Sequence, residues 1–128
     1  MQQSLGVCGS STATFTRPAD TNTYTAGDAI SNSTSAASVM TFRGVTREGS
    51  GAIQQAYLLD SANQTLLLDA ELWLFSTAPT AVNDNAAITF TDAELANLVT
   101  VIDFSVADAK IGLATSGAGG NSINIQSS

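Results

Sequence analysis

Short runs of alternating apolar and polar positions make up most of this sequence, and clusters of Gly, Ser, Asn and Pro separate them. An alternation of period two puts successive side chains on opposite faces of a strand. Residues 12–17 predict a first strand, because threonine suits a pleated surface, and Pro18 ends it. Residues 39–47 predict the next. Val39, Thr41, Arg43, Val45 and Arg47 fall on one side; the more apolar Met40, Phe42, Gly44 and Thr46 fall on the side expected to face the core. Glu48-Gly49-Ser50-Gly51 is a turn signal. Residues 52–60 then complete a hairpin in which Ile53, Gln55, Tyr57 and Leu59 share a side. Residues 65–76 are the most apolar stretch. Bulk on both sides predicts a central strand and a largely buried Trp73. Strand character returns at 100–105, more weakly at 109–115, and in 122–126, a final strand or tail holding Ile123 and Ile125.

One segment breaks the period. Thr91-Asp92-Ala93-Glu94 has the form of a capping box, and Leu95, Leu98 and Val99 follow at helical spacing. This predicts one short helix at about 92–99. Ala26-Gly27-Asp28 reads as a turn, residues 77–86 as a loop around Pro79, and Ser116-Gly117-Ala118-Gly119-Gly120 as a flexible connector. The expected fold is mainly β: an antiparallel β-sandwich or jelly roll of about seven to eight short strands with one short helix. The 128 residues suit one such domain at 13–116. An N-terminal arm at 1–12 precedes it, and a Gly-rich connector with a C-terminal strand or tail at 117–128 follows.

Composition narrows the chemistry. Hydrophobic residues make up 44% of the chain, enough for a core, while charged residues make up 12% and Ser and Thr occupy 31 positions. There is no histidine, so a Ser-His-Asp triad, a Cys-His dyad and histidine-bound zinc are all excluded within one chain. The single cysteine, Cys8, can form neither an intramolecular disulfide nor a thiolate metal site, and its count fits a reducing compartment. Asp69 and Glu71 share a strand face, as the paired carboxylates of glycosidases can, but such pairs are ordinary on solvated strands. Asn83-Asp84-Asn85 offers oxygen ligands at loop spacing. A calcium site needs about six to eight of them, and Asx-turn chemistry explains the same residues more simply. Asn32-Ser33-Thr34 and Asn63-Gln64-Thr65 match the N-glycosylation sequon as chance occurrences in a chain rich in these residues. The expectation is a protein that is not an enzyme, with no catalytic residues, cofactor or metal.

The net charge is -7 and unevenly placed. Residues 1–59 hold Arg17, Arg43 and Arg47 against Asp20, Asp28 and Glu48. Residues 60–128 hold Lys110 against Asp60, Asp69, Glu71, Asp84, Asp92, Glu94, Asp103 and Asp108. Four cationic side chains cannot neutralise many phosphates, which argues against a nucleic-acid partner. No apolar run reaches the roughly 18 residues of a membrane span, and no charged stretch followed by an apolar one suggests a secretory signal. Arg43 and Arg47, on one predicted strand side in the charge-balanced half, are candidate partner contacts.

Thr16-Arg17-Pro18-Ala19-Asp20-Thr21, then Tyr24, then Ala26-Gly27-Asp28, resembles the opening of a family of small structural proteins encoded by tailed bacteriophages. Glu71-Leu72-Trp73-Leu74-Phe75, Asn83-Asp84-Asn85-Ala86-Ala87 and Thr91-Asp92-Ala93-Glu94-Leu95 are similar to later family stretches, so the resemblance covers roughly residues 14–105. Family members continue with further apolar β segments after the Gly-rich connector, where this sequence has only residues 122–126. The resemblance implies a virion component that assembles in the host cytoplasm and lies on the capsid surface. In this picture it is a decoration (cement) protein bound to the major capsid protein. Capsid sites come in symmetric groups, which favours a homo-oligomer, expected as a trimer. A tail or neck component is the alternative within that class; a receptor- or carbohydrate-binding β-sandwich module lies outside it.

Overall fold

The structure is a computed structural model that describes residues 9–44, 51–61 and 69–105 and the strand backbones of 109–111 and 122–127. The described residues are mainly strands with one small helix. In chain order these are β1 (Gln55–Asp60), β2 (Ala70–Phe75), α1 (Asp92–Leu95), β3 (Leu98–Phe104), β4 (Ala109–Ile111) and β5 (Ser122–Ser127). The chain divides into two compact units. One comprises Met1–Gly51 and Thr77–Ala96; the other comprises Ala52–Ser76 and Asn97–Ser128.

Among the described residues the second unit contains all the strands, in two antiparallel sheets: β1-β5-β4 and β2-β3. The C-terminal β5 is thus a full sheet member, paired along the whole of β1 from Gln55–Ser127 to Asp60–Ser122. In β3 the period-two pattern holds along the strand. Leu98, Thr100, Ile102 and Phe104 turn inward while Val99, Val101 and Asp103 are exposed. Phe104 opposes Ala70, Ile102 opposes Leu72 and Thr100 opposes Leu74, so one face of the pair is apolar apart from the Thr100 hydroxyl. Phe104 is 2% exposed and is the largest fully buried side chain among the described residues. Burying it contributes about 1.5–3 kcal/mol. After Leu74–Thr100 the register shifts, and Phe75 opposes Leu98. Val99 is the extra residue of this bulge, 63% exposed. The chain between β2 and β3 is closed at its neck where the Ser76 N–H donates to the Asn97 carbonyl at 2.9 Å.

The first unit is built with little regular structure. Turn geometry replaces ladders. Gly27 takes φ +92°, a conformation that side-chain-bearing residues resist, and its carbonyl accepts the Ile88 N–H at 3.0 Å. That bond and Ala29 N–H to the Ala86 carbonyl, 2.9 Å, flank an isolated antiparallel bridge between Asp28 and Ala87.

Three expectations change. Residues 12–17 and 39–44 form no strand, because alternation supplies faces but a strand also needs a backbone partner, and these segments have no ladder among the described residues. Residues 45–47 lie outside the described residues. The helix expected at about 92–99 ends at Leu95. The β-branched run Val99-Thr100-Val101-Ile102 prefers the strand that begins at Leu98. Trp73 is half-buried rather than largely buried. Its indole N–H donates to Glu71 Oε2 at 2.8 Å on the exposed side. Among the described residues no helix is long and apolar enough to cross a membrane.

Candidate functional site

The densest polar cluster lies in the first unit and centres on Asp84, which is 5% exposed with a wholly enclosed carboxylate. A buried carboxylate must be matched by donors. The Tyr24 hydroxyl donates to it as a bifurcated bond, 2.8 Å to Oδ1 and 2.9 Å to Oδ2. The Ser31 N–H donates to Oδ1 at 2.7 Å. Arg17 Nη2 stands 3.8 Å from Oδ2, and the Arg17 guanidinium lies 4.4 Å above the centre of the Tyr24 ring, within cation–π reach. Arg17 Nε is enclosed without a hydrogen-bond partner among the described residues. Burial, and next the hydrogen bond to Asp84, push the Tyr24 hydroxyl up to about 12. Tyr24 is therefore a fixed donor near neutral pH, with no nucleophilic phenolate.

The neighbours of Asp84 are engaged in the same way. The Asn83 carboxamide oxygen accepts the Ala37 N–H at 3.2 Å. The Asp84 N–H donates to the Ser33 carbonyl at 2.8 Å. Asn85 takes the left-handed φ of 59°, which its short amide tolerates. Its amide nitrogen, oriented to suit its surroundings, reaches the Thr23 carbonyl at 3.3 Å and Asp28 Oδ2 at 3.2 Å. Asp28 Oδ2 also accepts the Thr25 N–H at 2.7 Å and the Thr25 hydroxyl at 2.8 Å. The Thr25 N–H bond is the main cause of a lowered Asp28 pKa. Asn83-Asp84-Asn85 is thus a three-pronged clasp holding residues 17–37. The Asn83 and Asp84 side-chain oxygens accept from donors in different places, the Ala37 and Ser31 N–H groups and the Tyr24 hydroxyl. No group of three or more His, Cys, Asp or Glu that could hold a metal occurs among the described residues.

The capping box forms as the sequence predicts. Glu94 N–H donates to Thr91 Oγ1 at 3.3 Å, and Glu94 Oε2 accepts the Thr91 N–H at 2.8 Å. The other oxygen, Oε1, accepts the Thr80 N–H at 2.7 Å, which no sequence signal announced. The Thr91 N–H first, and then the Thr80 N–H, hold the Glu94 carboxyl down to about 2.

The second unit presents apolar surface. On β1 the bulky residues face outward: Tyr57 and Leu59 are exposed, Leu59 by 65%, with Ile53 beside them in sequence period. The outer side of β2-β3 carries Trp73 opposite Val101 and Glu71 opposite Asp103. The carboxylate opposite Glu71 is thus Asp103, across the sheet. Arg43 is exposed on a segment that is not a strand, so the strand-face pairing expected with Arg47 does not apply to it; Arg47 lies outside the described residues, as do Cys8 and the Gly-rich connector. The sequence did not mark Arg17, Tyr24 and Asp84 as a set. Asp84 lies 60 or more positions from the other two, and only their place in the resemblance linked them.

Comparison with protein-family models, with curated proteins and with solved structures finds no match to this chain.

Proposed function

We propose that this chain is a non-enzymatic structural component of a tailed-bacteriophage virion. In this reading it is a capsid decoration (cement) protein that binds the major capsid protein as a homo-oligomer, most readily a trimer. Its strands would belong to an antiparallel sandwich or jelly roll of about seven to eight strands. The observation that carries the reading is where the resembling residues lie. Arg17, Tyr24, Asp28, Asp84 and Asn85 come from two separate stretches of the resemblance, and all of them sit in one clasp. Thr91 and Glu94, from a third, make the capping box. Residues shared with a family for framework reasons are expected in such positions. The clasp spends its acid, phenol and guanidinium on backbone and on one another, so it supports a scaffold role. Exposed apolar strand faces suit protein contacts. Trp73 is half-buried with its N–H bonded to Glu71, which makes it a poor sugar-stacking platform.

The test is fractionation of the encoding virus into heads and tails with quantitative detection of the chain. Recovery with heads at a fixed ratio to the major capsid protein supports the proposal. Recovery with tails moves the protein to a tail or neck role, and absence from both overturns the virion reading.

A further inference from the structure

We propose that the segment 39–43 of one copy docks on the outer face of the β2-β3 sheet of a second copy. The inference deepens the homo-oligomeric reading above and rests on it. The receiving face has two halves. At one end Glu71 and Asp103 stand directly opposite each other in the register. Like charges in that position destabilise a sheet unless a cation joins them. Neither carboxylate has a cationic partner among the described residues. At the other end Trp73 opposes Val101, and the bulge residue Val99 adds exposed apolar surface. The face therefore suits a cation flanked by apolar side chains.

The chain itself carries such a segment. Val39 and Met40 are exposed large apolar residues, Arg43 is exposed a few positions on, and the backbone from 39 to 43 has no regular structure. Arg43 has no carboxylate partner among the described residues. The charge-balanced half of one copy would thus meet the acidic half of the next, in the sense that complementary potentials steer association. The contact joins two different surfaces, so it is head-to-tail. A ring results when the rotation closes, which fits a cyclic trimer.

The full chain is examined by light scattering and sedimentation velocity over a concentration series, at low salt and in about 0.5 M salt. Two single variants, Arg43→Glu and Asp103→Arg, alter exposed residues, and circular dichroism checks their folding. The wild type is expected to associate, more weakly in high salt. Each variant should weaken association by at least about tenfold, and the double variant Arg43→Glu/Asp103→Arg should recover wild-type association, because the charge swap restores an opposite pair at every interface of a closed ring. A wild type that stays monomeric up to about 1 mM, single variants that assemble like wild type, or a double variant without rescue each overturn the inference. Particle binding by a monomer would sink this interface and leave the virion reading standing. Charge-dependent assembly of a chain absent from particles would do the reverse.

Discussion

Replacing Asp84 with alanine removes the acceptor on which the first unit is organised. The Ser31 N–H, 2.7 Å away, and the Tyr24 hydroxyl, 2.8 Å away, would both lose a charged acceptor in an enclosed site. Hydrogen bonds to charged groups run about 1.5–3 kcal/mol each. The Arg17 contact at 3.8 Å adds little, since that side chain is partly exposed and solvent screens it. Two bonds, less what entering water recovers, give a loss of about 3–5 kcal/mol, the range for breaking a buried charged pair. Trp73 fluorescence belongs to the second unit and is the wrong reporter. The assay is amide exchange at Ala29, Ser31 and Asn85, whose N–H groups donate within the clasp. Exchange there should accelerate roughly a hundred- to several-thousand-fold. Asp84→Asn keeps an oxygen for Ser31 and should lose about half as much. On a Tyr24→Phe background, Asp84→Ala should cost at least about 1 kcal/mol less, because the two groups share one bond. A loss below about 1 kcal/mol, or strict additivity with Tyr24→Phe, would refute the clasp as the organising feature.

In chemical denaturation of the second unit, Phe104→Ala should cost about 3–5 kcal/mol, and half-buried Trp73→Ala about 2 kcal/mol; equal losses would contradict the burial difference. The depressed Glu94 pKa implies that its contribution is complete above the ordinary 4.5 and is lost as pH falls through about 2. Amide protection at Thr80 and Thr91 should decay across that interval in the wild type. It should not do so in Glu94→Gln, and a flat wild-type profile would contradict the prediction. At Asn85, whose φ is 59°, glycine should be tolerated for the backbone, whereas valine should cost a further 1–2 kcal/mol or about that, read as the difference in exchange at Ala29.

What the sequence revealed was local. The capping box was legible because both its signals lie within four positions, Thr91 to Glu94. Strand character at 100–105 was legible from Val101, Ile102 and Phe104, whereas the start of β3 at Leu98 was not. The same logic misled at 12–17 and 39–44, where alternation occurs without a ladder among the described residues. Helical spacing of Leu95, Leu98 and Val99 competed with β-branching a few residues on, and β-branching won. The clasp could not be read, because Tyr24 and Asp84 are 60 positions apart and nothing in either neighbourhood anticipates the bond. Asn83-Asp84-Asn85 lies in a turn closed by the Ala86 N–H to the Asn83 carbonyl, but the Asn83 and Asp84 side chains, read as Asx-turn groups, instead accept from Ala37 and from Ser31 and Tyr24.

The decoration role is tested most directly by add-back to heads. Heads assembled without this chain are mixed with the purified protein, and bound copies and survival of heating or osmotic shock are measured together. The proposal predicts saturable binding at a fixed number of copies per capsid site and heads that withstand harsher treatment as sites fill. Heads that bind no protein, or that fill without gaining resistance, would contradict it.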